Sequence, residues 1–355
     1  MKNILILLSL FLSFSLMAQT KVIKKNAVKA NNYGITYSLP KTTLVVNAEV
    51  TKITAKAGPY YQYAEKYLGV KNAITEDQVY YELGKVTLSN VGVPDPDNTY
   101  LIEFKSGTVA PYAYLTEEGL LCAINAEYTP QESELDIIKK KKTEPETATN
   151  ASVFSEELLM AGSTARQAEV AAKQIYRIRE SRMNILTGDA DNLPPDGTAM
   201  QIVMDQLEEQ EKALTNLFTG IASRSTELYE VTVIPHDNLD KEVLFRFSER
   251  LGIVDAEDLG GMPVYMNLTA TQRAQILDPK EIEKKIKGMK GVIYNIPGKA
   301  SVEIFNNKQT LFKGDVQITQ FGEIESLAPV MFEDKKMPVK VYFYPETGAI
   351  QQIIQ

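Results

Sequence analysis

The chain has 355 residues, with 38 Lys and Arg against 46 Asp and Glu, one His, one Cys and no Trp. A net charge of −8 argues against a general nucleic-acid role. A single cysteine excludes an intrachain disulfide, and one histidine beside one cysteine excludes the usual zinc ligand sets.

The chain opens Met1-Lys-Asn-Ile-Leu-Ile-Leu-Leu-Ser-Leu-Phe-Leu-Ser-Phe-Ser-Leu-Met-Ala18. One early lysine, a short apolar run and a small residue make this a signal peptide cleaved after Ala18. The run is short for a membrane span, and no later segment approaches the roughly 20 apolar residues of one. Loss of residues 1–18 removes the charge of Lys2 and takes the net charge from −8 to −9. The remaining length suits two or three domains. Residues 19–33 are basic and polar and read as a flexible lead.

Strand patterns begin at Gly34. Gly34–Leu39 alternates and is broken by Pro40; Thr43–Ile53 is rich in β-branched residues at period two. Ala57–Gly69 then reads as a short helix started by Pro59 and ended by Gly69. Its Tyr60, Tyr63, Ala64, Tyr67 and Leu68 share one face, which suits packing on a sheet more than an aromatic binding surface. Val79–Leu88 and Thr99–Phe104 read as two strands with Pro94–Asn98 as the turn between them. Tyr112–Leu115 and Leu120–Ile124 read as a hairpin, with Cys122 a buried small hydrophobe in an apolar run. These make an N-terminal β domain over 34–130. Residues 131–150, with Lys139–Lys142, form a charged linker.

Residues 151–222 are expected to form a helical hairpin. Ala168, Ala171, Ile175, Ile178 and Ile185 fall on one helical face, as do Met200, Val203, Leu207, Leu214, Leu217 and Ile221. Gly188 ends the first arm and Pro194-Pro195 separate it from the second. The arms carry opposite charge: Arg166, Lys173, Arg177, Arg179 and Arg182 outnumber Glu169 and Glu180, whereas Asp205, Glu208, Glu209 and Glu211 outnumber Lys212. That complementarity fits an antiparallel, coiled-coil-like pair. Arg177, Arg179 and Arg182 are the candidate contact for a partner, with the acidic arm as the competing destination for the same charges.

Residues 223–355 alternate again, with short strands and turns at Asn306-Asn307 and Pro345–Gly348, and read as a C-terminal β domain. Asp278–Lys287 between them is charged and helical in pattern. The expected fold is therefore α+β: two mostly antiparallel, sandwich-like β domains with an inserted long antiparallel helical hairpin.

The chemistry in reach is narrow. His236 stands beside Asp237, but no Gly-x-Ser-x-Gly elbow, Walker A or dinucleotide glycine pattern accompanies it. The oxygens of Gly188–Asp196 lack the EF-hand ladder and suit a helix-connecting loop. No catalytic residue, metal site or cofactor is assigned. A pair of carboxylates in a cleft would still be enough for a glycosidase.

Three groups of segments resemble a family of exported bacterial proteins catalogued as domain of unknown function 4831. They are Ala57–Gly69; Gln174–Arg182 with Leu186–Gly188 and Asn192–Pro194; and Ile293–Ala300 with Gln320–Gly322 and Pro345–Ala349. The resemblance implies a Gram-negative envelope setting, periplasmic or associated with the outer membrane, and carries no activity. The leading expectation is a non-enzymatic envelope protein acting through contacts with another envelope protein. A small-ligand or glycan-binding protein with a cleft between the β domains is the alternative, and a carboxylate-dependent hydrolase the second. A deep pocket with convergent polar groups would favour the small-ligand reading.

Overall fold

The structure, a computed structural model, describes residues 21–24, 34–103, 113–130, 155–189, 197–275, 277–332 and 339–355. The signal segment Met1–Ala18, the linker 131–150 and the loop residues 190–196 lie outside the described residues. The fold is mixed α/β and its sheets are mostly antiparallel.

The strands are longer than the sequence pattern divides them. Gly34–Lys56 is one strand, β2, running through Pro40. Gln78–Glu103 is one strand, β3, and Pro94–Asn98 does not reverse the chain. Ser38 faces Thr99 and Pro40 faces Pro94, so Asp95–Asn98 bulge out opposite Leu39 alone. The prolines explain the misread boundaries. A proline lacks the N–H that a ladder needs, so it signals a stop in sequence and is accommodated at a bulge in three dimensions. Lys21–Lys24, expected as part of a flexible lead, is strand β1, paired with Tyr100–Glu103 of β3. Ala113–Leu115 (β4) and Leu121–Ile124 (β5) form the expected hairpin.

After the helices come β6 (Ile221–Val233), β7 (Leu239–Ser248), β8 (Gly252–Val254), β9 (Met262–Gln272), β10 (Val292–Asn306), β11 (Thr310–Leu327), β12 (Lys340–Phe343) and β13 (Ile350–Ile354). Among the described residues they assemble into sheets of order β1-β3-β2-β6, β11-β10-β9-β7-β8 and β13-β12-β5-β4. Sheet membership does not follow the boundary near residue 223. β6 pairs along β2, and β12 pairs with β5. β2 needs partners on both edges; β3 takes one and β6 the other.

Two apolar cores follow from these pairings. One lies between the first two sheets and joins Leu44, Val46 and Ala48 to Phe245, Met266, Val302 and Phe321. The other joins Tyr37, Tyr100 and Ile102 to Ile124, Ile293, Leu327 and Phe343. The long hairpins β2–β3 and β10–β11 run through both cores. β10–β11 carries a bulge like that of β2–β3: Ile296 faces Glu323 and Gly298 faces Ile318, leaving Thr319–Gly322 opposite Pro297 alone.

The helical region has its own core. α1 (Ala64–Leu68) ends at Gly69, whose φ of 72° is the left-handed value that glycine adopts without strain. α2 (Glu156–Met160) and α3 (Thr164–Thr187) are capped by the hydroxyls of Ser155 and Ser163. α3 ends at Gly188, as its sequence predicts, and α4 spans Gly197–Thr219. Ala168, Ala171 and Ile175 of α3 meet Leu214 and Phe218 of α4. The tyrosine face of α1 packs on these helices and not on a sheet: Tyr60 and Ala64 are buried there, and the Tyr60 and Phe218 rings meet edge-on at 5.5 Å. The face was legible from spacing; its destination required the tertiary fold.

Candidate functional site

The two bulges lie beside the same hollow. A cavity of about 470 Å³ is lined by the β3 bulge (Asp95, Asn98), by Pro40 and Lys41 of β2, and by Thr319–Ile324 of β11. Residues after β9 and the helix α5 (Pro279–Gly288) complete its wall. This volume falls within the range of small-molecule sites, and bulges recur beside such sites because they aim side chains away from the ladder.

Side chains stitch the two hairpins together along this seam. The Tyr37 hydroxyl donates to the Ile293 carbonyl at 3.1 Å and accepts from the Ile293 N–H at 2.9 Å. Full burial of that hydroxyl drives its pKa far up, and it stays protonated. Asn295 Nδ2 donates to the carbonyls of Pro40 (3.1 Å) and Thr347 (2.9 Å). Next along the seam, the Gln320 carboxamide grips one residue of β2. Its Oε1 accepts from the Thr42 N–H at 3.1 Å, and its Nε2 donates to the Thr42 carbonyl at 2.8 Å. Thr319 adds a reciprocal pair, its Oγ1 accepting from the Thr42 N–H at 2.9 Å and its N–H donating to Thr42 Oγ1 at 3.0 Å. The β11 bulge also demands a glycine: a Cβ on Gly322 would lie 1.9 Å from the Ile296 carbonyl oxygen.

The β3 bulge is closed internally. The buried Asp95 carboxylate accepts from Asn98 Nδ2 at 2.7 Å and from the Asp97 N–H at 3.1 Å, and pairs with Lys41 Nζ at 2.9 Å. Burial pushes its pKa up, but the bonds from Lys41, Asn98 and the Asp97 N–H outweigh burial and hold it below the ordinary carboxylate value.

Every cation in the cavity wall has a carboxylate. Lys41 has Asp95. Arg273 holds Asp237 at 2.6 Å and lies 4.7 Å over the Phe321 ring. Lys285 of α5 holds Glu323 at 2.7 Å and Glu325 at 3.0 Å, and the bond to Glu323 is the main cause of its raised pKa. The apolar part of the wall includes Leu277, Ile282, Ile286 and Ile324. The two acidic side chains that line the cavity, Asp95 and Glu323, are thus both ion-paired, and Asp95 is held ionised. That is poor ground for the proton donor that glycoside hydrolysis requires.

The segments Ile293–Ala300, Gln320–Gly322 and Pro345–Ala349 converge here. Asn295 bonds Thr347, its N–H donates to the Gly348 carbonyl at 3.1 Å, and Gln320 and Phe321 line the cavity. A model of the family described as a domain of unknown function (DUF4831) matches residues 33–351. The chain belongs to that family. No curated protein and no solved structure matches it.

In this DUF4831 chain Arg177, Arg179, Arg182, His236 and Cys122 do not line the cavity. Arg179 Nε bonds Glu211 at 2.7 Å, and Arg182 reaches Glu211 at 2.7 Å and Glu208 at 3.8 Å, while Arg177 is exposed. The acidic arm therefore takes two of the three candidate contact residues. For Glu211, burial raises the pKa and the two arginines more than reverse it. His236 is exposed in a loop; its carbonyl accepts from Arg273 at 3.3 Å, and its neighbour Asp237 is the partner of that arginine. Cys122 is buried, and burial raises its thiol to about 11, the inert state expected of it. Pro345–Gly348 is the turn joining β12 to β13, with Tyr344 N–H bonded to the Ala349 carbonyl at 2.9 Å. Among the described residues no cluster of His, Cys, Asp and Glu could hold a metal, and no helix is long and apolar enough to cross a membrane.

Sequence reading missed Lys41, Asp95, Arg273, Lys285, Thr319 and Gln320 as a group. They come from distant segments, and no local spacing links them. The available signals were two: the dense Pro94–Asn98 cluster, and the Gln320–Gly322 stretch that carried part of the family resemblance.

Proposed function

We propose that this protein binds a small ligand in the cavity between the bulged hairpins β2–β3 and β10–β11. The observation that carries this reading is the cavity itself: about 470 Å³, with an apolar wall and polar groups arriving from several segments. We further propose that the chain is exported to the cell envelope, supported by the signal pattern of Met1–Ala18 and the family resemblance. The finer fold reading goes with it: sandwich-like sheet packing and an antiparallel helical hairpin, supported by the shared core of the two sheets and the Arg179–Glu211 and Arg182–Glu208 pairs.

A thermal-shift screen against a broad small-molecule library tests the binding reading. Ala274 lines the cavity, and Ala274→Trp fills it. Compounds that raise the melting temperature of the wild type should leave that variant unmoved. A library that shifts both proteins alike, or neither, overturns the reading. Fractionation of cells expressing the full chain and a chain lacking residues 1–18 tests export; equal retention of both in the cytoplasm overturns it.

A second reading, contact with another envelope protein, is favoured by exposed apolar side chains on α3 and α4: Leu186 at 68%, Met183 at 59% and Ile202 at 59%. Charge reversal at Arg177, Arg179 and Arg182 should abolish capture of a cross-linked partner from the envelope. Unchanged capture by a folded variant rejects these residues as the contact.

A further inference from the structure

Resting on that binding reading, we infer that α5 is a hinged lid over the cavity, latched by the Lys285 ammonium, and that the ligand enters when it opens.

α5 is a self-contained unit. Its N-terminus is closed by the capping box of Asp278 and Glu281, and Glu283 and Lys287 pair at 2.7 Å one turn apart. These bonds lie within the helix and travel with it. None of its described side chains is buried, whereas α3 buries five residues and α4 three. An element with so little buried contact opens locally at far lower cost than the sheets around it.

Its apolar face lies over the hollow. Ile282 and Ile286 line the cavity one turn apart, and Ile282 remains 42% exposed. A filled cavity gives both side chains apolar surface to cover, so occupancy favours the closed lid.

The tether is a single side chain. Among the described residues, Lys285 makes all the hydrogen bonds and ion pairs that join α5 to the rest of the chain. Its one ammonium is shared by Glu323 at 2.7 Å and Glu325 at 3.0 Å. These carboxylates stand two residues apart on one face of β11 and repel each other, and Lys285 offsets only one of their two charges. Both are half-exposed, so water and salt compete for them. The latch holds α5 in place without locking it.

The ends of α5 differ. Upstream the chain is fixed at Ala274, whose N–H donates to the Phe321 carbonyl at 2.8 Å. Downstream α5 ends at Gly288, where a Cβ would meet no atom within 4 Å, and Gly291, at a φ of 100°, leads into β10. Packing does not demand a glycine at 288; its backbone freedom suits a hinge.

The test reads entry to the cavity through a thiol in its wall. Ile324 is a half-buried lining residue of β11, and Ile324→Cys in a Cys122→Ala background puts the thiol there. Its alkylation by N-ethylmaleimide is followed in the purified protein. Lys285→Met should speed alkylation about fivefold, and Lys285→Arg, which keeps the charge, should leave it unchanged. Raising NaCl from about 0.05 to about 0.5 M should speed it about two- to threefold with Lys285 in place, and not with Lys285→Met. Hydrogen exchange of the α5 amides should accelerate in step while the amides of β10 and β11 stay protected, which separates lid opening from lost fold. Should Lys285→Met destabilise the whole chain, the salt series on the protein that keeps Lys285 decides. Equal alkylation rates across these variants and salts, or acceleration shared by β10 and β11, overturn the lid. The cavity reading is untouched by that result, because the Ala274→Trp comparison decides it.

Discussion

In β3, Asp95–Asn98 stand opposite Leu39 alone; in β11, Thr319–Gly322 stand opposite Pro297 alone. The two bulges solve the same problem with different chemistry. A bulge removes backbone groups from the ladder, and those groups need other partners. The β3 bulge satisfies itself around a buried carboxylate, with Lys41 of the neighbouring strand as counter-ion. The β11 bulge satisfies itself outward, through Thr319 and Gln320 to β2 on the other sheet, and drives Phe321 into the core. One bulge is thus held by charge and the other by an apolar anchor plus a cross-sheet clasp. The cavity sits where they meet.

The comparison can be broken most severely at the anchor. Phe321 is 1% exposed, and Phe321→Ala should cost about 3–5 kcal/mol in urea unfolding, the range for an aromatic lost from a packed core. It should also release Arg273 from the ring it covers. A loss under about 1 kcal/mol would mean that the β11 bulge is not anchored there.

Asp95→Ala is next, at about 2–3 kcal/mol, because Asn98, the Asp97 N–H and Lys41 all lose their acceptor. The half-exposed Lys41 keeps access to water, which limits the effect. The same residue gives a pH signature. The folded-state pKa of Asp95 lies below the unfolded value of about 3.9, so the proton binds more tightly to the unfolded chain. Its contribution is therefore present above about pH 4 and lost as pH falls through the folded pKa. Asp95→Asn should flatten the acid limb of the stability curve relative to wild type; parallel limbs would remove Asp95 as its source.

Gln320→Ala should cost about 1–2 kcal/mol, the worth of two hydrogen bonds to one residue. A double-mutant cycle of Thr42→Val with Thr319→Val, whose hydroxyls meet at 3.3 Å, should show coupling of about 0.5–1.5 kcal/mol, and additivity would deny the side-chain part of the clasp. The smallest effect is expected at Glu211, which ties Arg179 and Arg182 between α3 and α4. Glu211→Gln should cost about 1 kcal/mol or less, since these ion pairs are partly solvated. It calibrates how much more a carboxylate is worth when a bulge closes around it.

Much of the architecture was readable from residues. Gly188 ends α3, the 3.6-residue stripes meet the helical core at Ala168, Ala171, Ile175, Ile178, Leu214 and Leu217 while Val203 is exposed and Ile221 opens β6, and the β-branched period of Thr43–Ile53 falls within β2. The strand breaks were misjudged at Pro40 and Pro94 because local chemistry reads a proline as an end. Whether a proline ends a strand or seats in a bulge depends on what lies across the ladder. The site was less legible still. Arg179 and Arg182 looked available because their charge is local, and they are occupied because Glu211 sits 32 and 29 residues away in sequence.

The sequence by itself determined element type and face, the buried and inert state expected of Cys122, the complementary charges of the two long helices, and the family. Those properties depend on side-chain periodicity, composition and motif, which are local. Only the tertiary structure decided that β6 joins β2, that the tyrosine face of α1 meets helices, and that two bulges more than 200 residues apart enclose one cavity. Thr42 and Gln320 lie 278 residues apart, and a hydrogen bond at that separation is set by how whole sheets pack. No local pattern carries that information.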